Sequence, residues 1–308
     1  MKRILITGAN GFVGSHVVNY FADLVDDYEV IAAVRTLPLN TESPLLSPKL
    51  SPKLTLMAVG NLTDQTQWEQ VLQDVDVVIH CAAIATALNS DSLAEQNNDF
   101  TMVNTLATLH LARQAVEANV SQFVFMSSIK AETADDAYGK SKQAAEKGLQ
   151  AIDTDMVVSI LRPSIVYGSG VKGNIASLTK VLKKNIPLPF GAITKNKRSF
   201  LSIDNLKSFI KHIIEHPLIG TFNVSDGQTI STTDLLKAMR EGTSSKSILL
   251  PVPTSVFKFA GRLLNKQDVI SRLVGDAEVD ISHTLKNTDW KPTGNTAELI
   301  TQYLKSER

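Results

Sequence analysis

The octet "TGANGFVG", Thr7 to Gly14, constrains this chain more than any other stretch. It sets Gly8, Gly11 and Gly14 between a short β-rich run, Arg3 to Thr7, and a helical pattern from Phe12 to about Asp26. The first glycine permits a tight turn, the second lets the backbone approach a pyrophosphate, and the third lets helix and strand pack closely. The helix start offers unpaired N–H groups and partial positive charge to an anion. The spacing is GxxGxxG, one residue longer than the common GxGxxG fingerprint, yet the strand before it and the helix after it are the required context. The turn therefore predicts dinucleotide binding, with Gly8, Asn10, Gly11, Phe12, Val13 and Gly14 as cofactor contacts.

The rest of the first half repeats the alternation. Tyr28–Val34, Leu54–Val59, Val75–Cys81, Gln122–Met126 and Met156–Leu161 are short apolar runs, with helical stretches such as Val103–Asn119 and Tyr138–Ile152 between most of them. Strands alternating with helices predict an α/β fold, a Rossmann-type doubly wound parallel sheet. Beyond Pro163 glycine and proline become frequent and the alternation weakens. Residues 1–165 are therefore expected to form the NAD(P)-binding domain. Residues 166–308 are expected to form a smaller, mainly substrate-binding region that can return elements to the first. Pro38–Pro52, with its tandem "SPKLSPKL", reads as a surface loop. In Pro251–Asn265 the residues Val256, Phe259, Ala260, Leu263 and Leu264 recur at helical spacing and predict a core-facing helix.

Bulk numbers exclude several classes. The 308 residues carry 31 basic and 31 acidic side chains, so nothing calls for nucleic acid or an anionic membrane. No stretch approaches the roughly 20 apolar residues of a membrane span. The apolar run Ile4–Ile6 is too short for a signal core. A single cysteine, Cys81, excludes an internal disulfide and fits a reducing compartment, so a cytoplasmic enzyme is expected. No metal site is expected.

Two further stretches carry chemistry. In "YEVIAAVRT" the second strand ends in Val34 and Arg35, where NAD-binding folds place a carboxylate for the ribose 2′-hydroxyl. A carboxylate would repel a 2′-phosphate, whereas Arg35 can pair with one, so NADP is favoured and NAD stays open. "DAYGKSK" sets Tyr138 and Lys142 at i and i+4, on one helix face. A nearby ammonium favours the phenolate, each unit of lowering reflecting about 1.4 kcal/mol. Tyr138 can then pass a proton at a carbonyl/alcohol carbon while hydride moves to or from the cofactor. The strand "FVFM" before it ends in Ser127 and Ser128, either of which could polarise the substrate oxygen.

Glycine turn, serine, tyrosine and lysine in this order resemble the active-site order of the extended short-chain dehydrogenases/reductases. The similarity is closest to the NAD-dependent epimerase/dehydratase, nucleotide-sugar branch, including UDP-glucose 4-epimerase-like proteins. The resemblance implies that Ser128 (less so Ser127), Tyr138 and Lys142 are catalytic, and that Lys142 also holds the nicotinamide ribose. It implies that "HCAA" passes the cofactor through Ala82 and Ala83, with His80 a strand-end residue rather than an acid or base. Asn104 would steady the active-site helix, and Pro163 and Ser164 would approach the nicotinamide. Asn61 and Leu62 would lie near the adenine, Asn61 standing where relatives carry aspartate. Asn174, Arg198 and Arg272 would bind the diphosphate of a nucleotide sugar, Arg198 through a guanidinium fork. Three departures stand out. The span from Ser128 to Tyr138 is short for the family, Ala107 replaces a frequent glycine, and the second strand lacks its acid.

The activity implied is chemistry at C4 of a nucleotide-activated, UDP-type sugar. The first expectation is an NADPH-dependent 4-keto-sugar reductase, because Val34 and Arg35 end the second strand. The alternative is a UDP-hexose 4-epimerase that retains NAD. A non-catalytic cofactor-sensing protein on the same fold is the third reading, opposed by the intact Ser128, Tyr138 and Lys142. A homodimer is compatible with the family.

Overall fold

The computed structural model describes residues 1–37, 52–85, 93–171, 173–263 and 273–307. The strands are β1 Lys2–Thr7, β2 Tyr28–Val34, β3 Leu54–Ala58, β4 Val77–His80, β5 Gln122–Met126, β6 Val157–Pro163, β7 Ile165–Tyr167, β8 Arg198–Ser202, β9 Gly220–Val224 and β10 Thr229–Ile230. The helices are α1 Phe12–Asp23, α2 Leu93–Phe100, α3 Ala107–Glu117, α4 Lys130–Thr133, α5 Ala137–Gln150, α6 Asn174–Lys183, α7 Ile203–Glu215, α8 Thr232–Thr243, α9 Thr254–Leu263, α10 Ser282–Asn287 and α11 Thr296–Ser306. A π-helical segment, Thr101–Leu106, joins α2 to α3.

Two compact units divide the chain: residues 1–163 with 207–223, and residues 164–206 with 224–308. The first unit is built on a seven-stranded sheet of order β3-β2-β1-β4-β5-β6-β9. Its pairings from β3 across to β6 are all parallel, and Thr7 lies level with both Ala33 and His80. The order reverses between β1 and β4, the switch point at whose carboxyl edge such sheets bind ligands. Burial on both faces explains the continuous apolar runs: Ile4, Leu5, Ile6, Val78 and Ile79 are all fully enclosed. Each such side chain contributes about 1.5–3 kcal/mol of burial free energy.

Helix α1 buries Val17, Val18, Phe21 and Ala22 along one stripe and stops at Asp23, three residues short of the expected end. The helix expected from Val103 begins ten residues earlier, at Leu93, and widens into the π-helical segment before resuming as α3. It closes at Asn119 in a left-handed conformation (φ 57°), which asparagine tolerates.

The second unit holds the three-stranded sheet β10-β8-β7, covered by a core that includes Tyr167, Phe200, Leu236, Met239, Ile300 and Leu304. A buried carboxylate organises it. Asp226 accepts from the Tyr167 hydroxyl (2.8 Å), the Ser202 N–H (2.9 Å) and the Asn205 amide (2.7 Å). Helix α9 corrects the core-facing expectation. Val256 and Phe259 are 51% and 69% exposed, whereas Phe257 stacks on Phe190 with ring centroids 5.6 Å apart. With apolar residues on adjoining stripes, the helix could bury either, and the stacking selects that of Phe257. Leu264 lies outside the described residues, as do 38–51 of the proline-rich loop.

Candidate active site

The glycine turn folds as a cradle that side chains would fill. Gly8 is left-handed (φ +67°), and a Cβ there would sit 2.7 Å from the Ala82 backbone. A Cβ on Gly14 would sit 2.1 Å from the Gly8 carbonyl oxygen, so β1 and α1 approach as only glycine permits. That carbonyl accepts from the Gly11 N–H at 2.8 Å, and Gly11, in extended conformation, heads α1. Beside the cradle lies a cleft of about 840 Å³ at the carboxyl ends of β1 to β4. The predicted contacts Gly8, Asn10, Gly11, Arg35, Asn61, Leu62, Ala82 and Ala83 all line it. Phe12, Val13 and Gly14 lie just beyond, at the start of α1. Arg35 is exposed, and the Asn61 carbonyl accepts from the Thr66 hydroxyl at 3.2 Å.

Sequence reasoning missed Thr36, Asp99, Met102 and Val103 on the same wall. Thr36 adjoins Arg35 and was within reach of the strand-end argument. Asp99 and Met102 enter on α2 and the π-helical segment, ahead of the helix expected from Val103, and Val103 opens that expected helix. The cleft and the cradle fit a dinucleotide: an open backbone turn for the pyrophosphate, apolar walls at Val59, Leu62 and Val103, and room for the adenosine half.

Helix α5 carries the expected pair. Asp136 caps it, its carboxylate accepting from the Gly139 N–H at 2.7 Å. Lys142 is 1% exposed. Its ammonium donates to the Met126 carbonyl at 2.8 Å and lies 4.6 Å from the Phe125 ring centroid. Burial pulls it down to about 7, a pull that Cys81 and Glu146 oppose. Burial likewise holds the Tyr138 phenol above its ordinary value, with a hydrogen bond to Ser128 acting the other way and the Asp136 charge adding to the rise.

The two serines separate cleanly. The Ser127 hydroxyl donates to Glu146, whose carboxylate also takes a forked pair from Arg162 at 2.9 and 2.5 Å. That buried triad occupies Ser127. Ser128 is the serine that meets Tyr138. Ser128→Ala is therefore expected to lower turnover about a hundredfold with little change in melting temperature. Ser127→Ala should mainly lower the melting temperature, because it strips a partner from buried Glu146. Paired steady-state kinetics and thermal melts check both.

Asn104 sits at zero exposure in the π-helical segment and ties two elements together. Its Oδ1 accepts from the Ile84 N–H (2.9 Å), and its Nδ2 donates to the Ile84 carbonyl and the Ser141 hydroxyl (both 3.0 Å). It thus fixes the helix of Tyr138 and Lys142 against the segment that follows β4. π-helical turns recur at functional sites for this kind of re-aiming. His80 is enclosed between the Thr7 and Thr108 hydroxyls (2.7 and 3.0 Å), and burial lowers it to about 3, leaving it a neutral structural imidazole.

Of the remaining predicted residues, Pro163 ends β6, and Ser164, Asn174 and Arg198 lie in the second unit. Ser164 is buried, its N–H donating to the Val224 carbonyl (2.9 Å) and its hydroxyl without a partner among the described residues. Asn174 is the first residue of α6. Arg198 opens β8, half-buried, and burial lowers its pKa. Arg272 lies outside the described residues. No cluster of metal-ligating side chains occurs among the described residues.

Residues 4–225 match the model of the family described as NAD dependent epimerase/dehydratase. The chain is 40% identical over 311 aligned positions to a Vibrio cholerae protein named UDP-glucose 4-epimerase, covering 94% of this chain and 91% of that one. Among solved structures it is similar to UDP-glucuronic acid 4-epimerase from Bacillus cereus in complex with NAD (TM-score 0.75, 19% identity, 99% of each chain). It is also similar to UDP-N-acetylglucosamine 4-epimerase from Methanobrevibacter ruminantium M1 in complex with UDP-N-acetylmuramic acid (TM-score 0.74, 22% identity, 99% of this chain and 97% of that one).

Proposed function

The chain belongs to the NAD dependent epimerase/dehydratase family, and we propose that it is a UDP-hexose 4-epimerase that keeps its NAD through the catalytic cycle. The observation that carries this reading is the 40% identity, along nearly the whole chain, to a relative named UDP-glucose 4-epimerase. It replaces the reductase as the first reading. The Ser128–Tyr138 contact, with Lys142 one helical turn on, supplies groups for the proton chemistry.

Tyr138 takes the proton of the sugar's C4 hydroxyl and later returns one to the same oxygen, the inversion lying in the hydride, which leaves one face of C4 and comes back to the other. Ser128 hydrogen-bonds the same oxygen and holds it against the phenol. The bound nicotinamide supplies the hydride acceptor and donor. Lys142, buried and cationic below about pH 7, favours the phenolate and can donate to the ribose next to it. Asn174 and Arg198 are assigned to the substrate diphosphate, Arg198 through its fork of N–H donors.

The test is to purify the protein without added cofactor, release bound nucleotide with acid, and assay UDP-glucose in parallel. Close to one NAD per chain, with UDP-galactose formed in the absence of added cofactor, is the expected result. The reductase reading survives on one observation: Arg35 and Thr36 line the cleft where a carboxylate would exclude a 2′-phosphate. It requires the reverse outcome, no retained nucleotide and NADPH consumed one for one with a 4-keto sugar.

A further inference from the structure

The short span between Ser128 and Tyr138 is a compact, fully bonded unit. Ala131 and Glu132 N–H groups donate to the Ser128 and Ile129 carbonyls (2.9 and 3.1 Å), forming α4. Ala134 turns left-handed (φ 51°), and its N–H closes on the Lys130 carbonyl at 2.9 Å. The Gln143 side chain, from α5, donates to the Ala131 carbonyl at 3.0 Å. Gly139 has no room for a side chain here, since a Cβ would lie 2.5 Å from the Lys130 carbonyl. Residue 130 is thereby held against the first turn of α5.

What this unit presents is a charge pair beside the phenol. The Lys130 ammonium contacts the Asp136 carboxylate at 2.6 Å and stands 5.8 Å from the centroid of the Tyr138 ring. The other oxygen of Asp136 is the cap of α5, which fixes that carboxylate two residues before Tyr138. Other described groups lie near the ring. Lys142 turns its ammonium to the Met126 carbonyl. Phe100 meets the tyrosine edge-on at 6.3 Å, next to Asp99 on α2, and Ser128 hydrogen-bonds it.

We infer that Lys130 is a positioning residue that acts through Tyr138: with Asp136 it forms an opposed pair of charges whose balance sets how readily the phenol ionises. The cation favours the phenolate and the carboxylate disfavours it. Side chains 55% and 46% exposed keep the effect modest and salt-sensitive. The inference rests on the assignment of Tyr138 as the proton-transfer group, so its test reads the phenol itself and needs no turnover.

Protein labelled with ¹³C at the tyrosine ζ carbon and mixed with NAD⁺ shows five tyrosine signals at most, and the Tyr138→Phe variant identifies the one of interest. Lys130→Met should move its titration up by about half a pH unit, and Asp136→Asn, which keeps a capping side chain, should move it down by about as much. The double variant should return near the wild-type value, Lys130→Arg should leave it unmoved, and 1 M salt should collapse the single shifts. Shifts of the same sign, no shift, or a double variant displaced from the wild-type value as far as either single variant overturns the inference. If the phenol titrates as expected while no sugar nucleotide is turned over, the electrostatic pair stands and the epimerase assignment falls.

Discussion

Tyr138→Phe is expected to lower epimerase turnover about a thousandfold while leaving retained NAD and the melting temperature nearly unchanged. The ring contributes packing, including the edge-on contact to Phe100, and phenylalanine preserves it. Only the hydroxyl is lost, and with it the proton carrier at C4. General acid–base groups contribute about 10²–10⁴-fold, and this one would serve in both the oxidation and the return. The fall should appear in kcat with KM little altered, because the hydroxyl matters most as the proton moves. A coupled assay for UDP-galactose, with nucleotide released from the same preparation, checks both halves. Turnover within tenfold of wild type would remove Tyr138 from the mechanism.

The second large effect is expected at Gly14. Alanine there would place a carbon 2.1 Å from the Gly8 carbonyl oxygen, a distance no contact tolerates. The neighbour is backbone, not a flexible side chain, so α1 must move away from β1. Overpacking of this kind costs about 1–3 kcal/mol, and the displaced turn should lose most of its cofactor grip. Gly173→Ala, outside the cleft lining, is the control. Gly173 has a positive φ (+84°), unlike helical Gly14, and nothing lies within 4 Å of its would-be side chain. It should cost only the conformational penalty of about 1–2 kcal/mol. Thermal melts and NAD titration of the two variants separate steric exclusion from backbone strain. Equal losses of NAD affinity would mean that close approach of helix and strand is not what Gly14 supplies.

The parts of this molecule legible in the sequence are those whose physics is local. Gly8 and Gly14 announce the turn because no other residue type meets their steric demand, and buried parallel strands read as apolar runs because water touches neither face. Tyr138 and Lys142 could be paired from their spacing, since a helix puts i and i+4 on one face. The residues alone left Ser127 and Ser128 open, only the family resemblance favouring Ser128, and the physical distinction was not legible. It is made by Glu146 and Arg162, which come from another helix and another strand. Asp99 on α2 and Met102 on the π-helical segment both precede the helix expected from Val103, so no expected element carried them to the cleft. Helix α9 misled for a different reason. Apolar residues on two adjoining stripes leave the buried face undetermined until Phe190 takes Phe257.

The division of the chain into interleaved units has a consequence for its synthesis. The first unit needs residues 207–223 as well as 1–163, and the chain crosses between units at 163–164, within α7, and at 223–224. Strand β9, which closes the β6 side of the large sheet, is made some 60 residues after the strand it pairs with. Until it emerges from the ribosome, β6 is an open edge, with the pairing and aggregation hazard that open edges carry. A chain stopped after Pro163 would keep the glycine turn, Ser128, Tyr138 and Lys142, yet it would carry that hazard permanently. Ser128, Tyr138 and Lys142 are all translated early, but the sheet that holds them is completed late.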